Sequence, residues 1–211
     1  MTDAALLTLT QWLSPAFPLG AFAYSHGLEL AISEGHVRDA ETLEAWLAQT
    51  LRVGGGKVDA WLLAMVLDGA DAVEMDDLAQ ALAGTKERWS ETTEQGAAFA
   101  RTVVQMGGPD RAAAALPVAV GVAARELNLP KKTVISLYLH SYISNLVSAG
   151  VRFMPLGQSA GQSVLSRLHA VIEGVAEGAL DATVEGLTTS AFASDLGSAR
   201  HEAMDVRIFK T

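Results

Sequence analysis

The sequence predicts an all-α chain: a single-domain bundle of roughly eight to ten helices with an extended C-terminal arm. Three observations carry that expectation. Apolar residues recur at helical spacing nearly throughout, and strand-like alternation bounded by hairpin turns is almost absent. At 211 residues and 50% apolar composition, the chain can also bury a sizeable core without a metal or disulfide.

The elements follow in order. A first helix over residues 4–13 places Leu6, Leu9 and Leu13 on one stripe and stops at Ser14, because Pro15 disfavours helical geometry in the residue before it. After a loop through Pro18 and Gly20, a second helix runs over residues 25–34 and ends at Gly35, which can take the left-handed cap. Asp39 is the N-cap of a third helix, with Leu43, Trp46, Leu47 and Leu51 on one face, and the glycines at 54–56 stop it. Further helices are expected over residues 58–67, 76–83, 86–105 and 116–127. The next opens with Pro130 and runs to about Phe153, where Pro155 ends it. Val164, Leu168, Val171, Ile172 and Val175 mark a last amphipathic helix that stops near Gly178. Residues 187–198 are rich in Thr, Ser, Ala and Gly with little to bury, and read as an extended or mobile arm. The division expected is therefore a domain over 1–186 and an arm over 187–211 that docks on a partner.

Composition excludes several classes. The net charge is −9, with 15 acids and 6 bases in residues 1–105 against 9 of each in 106–211, so the basic footprint of a nucleic-acid binder is missing. The acidic half suits either a basic partner or plain solvation. There is no cysteine, hence neither a disulfide nor a thiolate metal ligand, and the N-terminus lacks the basic and apolar regions of a secretory signal. A cytoplasmic location is expected. Between Lys132 and Arg152 lie 19 residues without a charge, enough to span a bilayer as a helix. The polar groups of Ser136, His140, Ser144 and Asn145 spread around that helix mark it instead as buried in protein.

No catalytic constellation emerges. Gly54-Gly-Gly-Lys57 lacks the spacing of a phosphate loop, and the five histidines (26, 36, 140, 169 and 201) are scattered, with no two at ligand spacing on a helix. Ser25 precedes His26 without facing it, and the four tryptophans sit among leucines and alanines as core residues do. His26 and Glu29, three apart, read either as a transient nickel contact or as a satisfied helix N-terminus. Gln158 and Gln162 flank Gly161 at a helix start, where their amides serve either capping or partner recognition. In the last fourteen residues Met204, Ile208, Arg200, Arg207 and Lys210 make an amphipathic segment suited to docking in a groove.

Three stretches resemble one family closely. They are Ser14-Pro-Ala-Phe-Pro-Leu-Gly-Ala-Phe-Ala-Tyr-Ser-His-Gly-Leu-Glu29, the run from Val151 through Pro155-Leu-Gly-Gln-Ser-Ala-Gly-Gln162, and the tail bearing His201, Glu202, Arg207, Ile208, Phe209 and Thr211. In order and spacing these are similar to the UreF family of urease accessory proteins, as are Ser90-Glu-Thr and Gln95-Gly96 in the middle. Ser159, Ala160 and Gly197 depart from the family pattern, and Gly197 is read as loosening the arm. The resemblance implies a non-enzymatic chaperone component, an all-α homodimer that joins a UreD/UreH-type scaffold protein and recruits the GTPase UreG. Nickel would be in transit to apo-urease, GTP would be bound by the GTPase, and no cofactor would be held stably by this chain. The partner-binding residues so implied are Tyr24, His26, Glu29, Gln158, Gln162, His201, Glu202, Arg207 and Phe209. The alternative is an all-α enzyme with a site between Tyr24, His26, Glu29 and Gln158.

Overall fold

The structure, a computed structural model, describes residues 2–190, 192–201 and 207–210, with the backbone alone for 192–195. Among the described residues its regular elements are all helices and it holds no strand. Helix α1 covers Asp3–Trp12, capped by the Thr2 hydroxyl, which accepts from the Ala5 amide. The loop that follows makes one 3-10 turn at Ala21–Ala23 and enters α2, Leu28–Ser33. Helix α3 (Ala40–Val53) begins at Asp39, whose side chain accepts from the Thr42 amide while the Thr42 hydroxyl accepts from the Asp39 amide. That reciprocal cap satisfies two amides the helix itself cannot, and it holds the exposed Asp39 carboxyl below its ordinary value.

The glycines at 54–56 do less stopping than expected. Gly54 alone separates α3 from α4, Gly55–Leu67, and Gly55 and Gly56 already lie in the new helix. Gly56 is needed there because a Cβ would come within 3.0 Å of the Leu51 backbone. Helix α5 (Ala72–Leu82) starts earlier than predicted, since the Asp71 carboxylate accepts from the amides of Val73 and Glu74. Helices α6 (Lys86–Gln105), α7 (Leu116–Ala124, continued by a 3-10 turn at Arg125–Leu127), α8 (Lys131–Phe153) and α9 (Gln158–Gly178) follow the apolar periodicity.

Helix α8 is the long apolar segment, and more than half of its most apolar window is buried in protein. It packs against α9, α4, α2 and α3, while α7 lies across α4 and α6. Its Ile135, Leu139 and Ile143 join Leu43, Leu47, Leu51, Leu63 and Leu168, all fully buried, in the main core. Each such side chain contributes about 1.5–3 kcal/mol relative to exposure. Trp12 is in this core, edge-on to Phe99, and Trp46, Trp61 and Trp89 are partly buried against it or its smaller neighbour. Gly96 permits the closest approach: a Cβ there would meet the Ala114 carbonyl oxygen at 1.8 Å.

The largest difference from the sequence reading is in the C-terminal stretch. Ser190 and Thr189 hydrogen-bond the Val53 carbonyl, and Phe192–His201 then forms a helix, α10, that packs on α2 and α6. The small side chains that made this segment read as extended are what let a helix approach closely. Gly197 lies against the Gly27 backbone, and Ser198, buried, shares a hydrogen bond with the Thr85 hydroxyl. Glu202, Met204 and Thr211 lie outside the described residues.

Candidate functional site

The site begins with the turn chemistry of the first loop. Gly20, His26 and Gly27 all have positive φ, so the chain turns sharply twice before α2. His26 at φ 54° is the costly one, being neither glycine nor asparagine. Helix α2 therefore starts three residues later than predicted, and His26 and Glu29 do not share a helix face. They are directed to different partners.

Glu29, 2% exposed, receives the end of the chain. Its Oε1 accepts from the Ile208 amide at 2.9 Å, and its Oε2 accepts from the Phe209 amide at 2.9 Å and faces His201 Nε2 at 3.0 Å. Burial pushes the Glu29 carboxyl up, but the His201 hydrogen bond and the two backbone amides outweigh it, and the net direction is below the usual carboxylate range. His201 is fully buried, and its Nδ1 lies 3.0 Å from Glu87 Oε2. Each ring nitrogen of His201 thus faces a carboxylate oxygen of a different helix, Glu29 on α2 and Glu87 on α6. Arg207 closes the same cluster on Glu87 Oε1.

Tyr24 and Lys210 converge on Glu94: the phenol donates to Oε2 at 2.7 Å and the ammonium at 2.9 Å, with the ammonium also lying over the Tyr24 ring. Burial first, then the Glu94 hydrogen bond, hold the phenol well above its ordinary value, and that same bond draws the Glu94 carboxyl down. The Lys210 amide donates to the Ala23 carbonyl, and Arg152 donates to that of Phe22 while stacking on the Phe209 ring. Phe209 is buried beside Phe153.

His26 belongs to a second, deeper cluster. Its Nε2 is 2.9 Å from Glu91 Oε1 and its Nδ1 is 3.2 Å from the Tyr142 hydroxyl. Arg88 lies between Asp59 at 2.7 Å and Glu91 at 3.3 Å, and the Tyr138 hydroxyl donates to the other Asp59 oxygen. Burial alone would lower the Arg88 pKa and raise that of Glu91. The opposing charges win in both cases, so Arg88 is held up and Glu91 down. Tyr24 and His26 line one small cavity of about 40 Å³ with Glu91, Gln95 and Tyr142, while Gln158 and Gln162 stand exposed in the first turns of α9. The N-cap of α9 is Gly157, which has no side chain to offer.

Of the nine partner-binding residues that the family resemblance implied, Tyr24, His26, Glu29, His201, Arg207 and Phe209 come together in two adjoining clusters joined by α6, while Gln158 and Gln162 stand exposed on α9 and Glu202 lies outside the described residues. Sequence reasoning missed the partners of the clustered six. Glu87, Glu91 and Glu94 fall at i, i+4 and i+7, one face of α6, so a stripe of carboxylates at helical spacing was the available signal. Among the described residues, no three His, Asp or Glu side chains are grouped to hold a metal ion.

Fold and site together define an all-α protein built round a buried ionic network, with its C-terminal segment folded onto its N-terminal loop. The profile of the UreF family matches residues 37–169, well over half the chain. Over 209 residues the chain is 54% identical to a protein of Cereibacter sphaeroides strain KD131 named urease accessory protein UreF, covering 99% of this chain and 100% of that one. Proteins of the same name from Jannaschia sp. strain CCS1 and Paracoccus denitrificans strain Pd 1222 are 47% and 46% identical, covering 98% and 99% of this chain and 94% and 97% of theirs. The chain belongs to the UreF family.

Proposed function

We propose that this chain is a non-enzymatic urease accessory protein acting in the cytoplasm as one component of a nickel-insertion complex. In this reading it forms a homodimer, joins a UreD/UreH-type scaffold protein and, with it, recruits a UreG-type GTPase. GTP is bound by the GTPase, and nickel passes toward apo-urease. Family membership supports the urease role. One structural observation supports docking: Phe22 and Ile208, 64% and 73% exposed, come from the two ends of the chain and are held near one another by the Lys210 to Ala23 hydrogen bond. Around them stand the exposed cations Arg152, Arg207 and Lys210. Exposed apolar side chains ringed by arginine and lysine suit a partner with an apolar centre and an acidic rim. Tyr24, His26, Glu29, His201 and Phe209 hold that surface in shape from beneath, and Gln158 and Gln162 are assigned as further exposed contacts.

The test is co-purification of the tagged chain with its UreD/UreH-type partner. The full chain, a version ending at Ser190 and the double substitution Phe22→Ala with Ile208→Ala are compared. Stoichiometric capture by the full chain and loss in both variants supports the reading. Capture undiminished in the folded double variant refutes the proposed surface.

A further inference from the structure

The sequence places His140 and His169 apart, with 28 residues between them, and neither takes part in the clusters described above. In the fold they meet. His140 is a half-buried residue of α8 and His169 an exposed one of α9, and their ring centres are 5.5 Å apart at an interplanar angle of 46°. We propose that this pair is a binding site for a divalent late transition-metal ion, held by two imidazoles with water completing the coordination.

The distance fits the chemistry. A metal–imidazole bond of about 2.0–2.1 Å, plus about 1.2 Å from nitrogen to ring centre, puts an ion about 3.2 Å from each centre. Two such legs spanning 5.5 Å open at about 120°, within reach of tetrahedral or octahedral geometry after ordinary rotation about the side-chain bonds. The scaffold is rigid where this matters: Leu139 and Leu168, each adjacent in sequence to one of the histidines, are fully buried and fix the two backbones relative to one another. Imidazole pairs favour ions of the cobalt-to-zinc series over magnesium or calcium, which take oxygen ligands.

The local charge does not oppose a cation. Within one turn of either histidine along its helix, the charged side chains are Arg167 and Glu173. Arg167 is directed to Glu44 at 2.5 Å, and Glu173, four residues beyond His169, shares its side of α9. Lys132, two turns before His140, is held by Glu177. Two protein ligands make a reversible site rather than a structural one.

This inference stands apart from the urease reading and is tested on the free full-length chain. Ni²⁺ and Zn²⁺ are titrated separately by calorimetry into the metal-free wild type and into His140→Ala, His169→Ala and His36→Ala. The last is a control at an exposed histidine beside Glu34. One ion per chain is expected, with affinity falling at least about tenfold in either pair variant, since loss of an outer-shell partner alone costs about 10–100-fold. His36→Ala leaves it unchanged. The metal should also raise the Tm of the wild type and not of His169→Ala. Binding that survives both pair substitutions, or no saturable binding by the wild type, overturns the proposal. If His140→Ala loses helicity, His140→Gln supplies the variant of similar volume.

Discussion

Replacing Glu29 with glutamine tests whether one buried carboxylate holds the end of the chain. The carboxylate accepts three N–H groups, from Ile208, Phe209 and His201. An amide has one oxygen, so in either orientation its NH₂ must oppose a donor. With the oxygen kept at the Oε2 position, the Ile208 amide is orphaned at a cost of about 1–3 kcal/mol. The bond to His201 also loses its ionic character, worth about 1 kcal/mol more. The sum, about 2–4 kcal/mol, corresponds to about a 30- to 1,000-fold rise in the opening equilibrium at roughly 1.4 kcal/mol per decade. The loss falls first on the segment, because most of the main apolar cluster comes from α3, α4 and α6 to α9, whereas Glu29 lies in α2 and holds the chain end, of which Phe209 alone among the described residues joins that cluster. Amide hydrogen exchange reads this directly: protection at Ile208 and Phe209 should fall by that factor while Leu139 and Leu168 keep theirs. Exchange at Ile208 and Phe209 within about threefold of wild type would refute the reasoning.

Acidification should act on the same contacts. The Glu29, Glu91 and Glu94 carboxyls all have folded pKa values below their ordinary one. Their stabilisation is therefore complete above about pH 4–5 and is lost as pH falls further, which amide shifts at Ile208 and Phe209 followed from pH 7 downward would register. Asp59→Ala leaves the Tyr138 hydroxyl without its acceptor and Arg88 with Glu91 alone, and should cost about 3–5 kcal/mol in urea unfolding. A loss below about 1 kcal/mol would show the deep cluster to be dispensable for stability. Gly96→Ala forces a methyl against the Ala114 carbonyl and should destabilise by about 1–3 kcal/mol. Gly174→Ala, in the interior of α9 with open space around it, should instead stabilise by up to about 1 kcal/mol, and thermal unfolding of the pair distinguishes packing from propensity.

Where one local rule dominated, the sequence sufficed. Asp39 marked the start of α3 because its cap is made with Thr42, three residues away, and residues 86–105 and 130–153 read as helices because their apolar stripes are long, the second beginning one residue later, at Lys131, with Pro130 as its N-cap. Local reading failed where neighbours intervened. The start of α2 moved from Ser25 to Leu28 because His26 and Gly27 adopt left-handed geometry. The segment from Phe192 to His201 became a helix because its small residues meet Gly27 and Thr85, 113 or more positions earlier in the chain.

By itself the sequence determined the all-α class, most helix boundaries to within a few residues and the family. These rest on periodicity, capping and motif spacing, all of which lie along the chain. Only the tertiary structure decided how the charges are paired. A carboxylate's partner depends on which helices pack together, so Glu29 could not be matched with His201 and Phe209, nor Tyr24 with Glu94 and Lys210, before α2, α6 and the chain end were in place. The meeting of His140 with His169 is of the same kind: nothing in the intervening residues announces it, and the packing of α8 on α9 creates it.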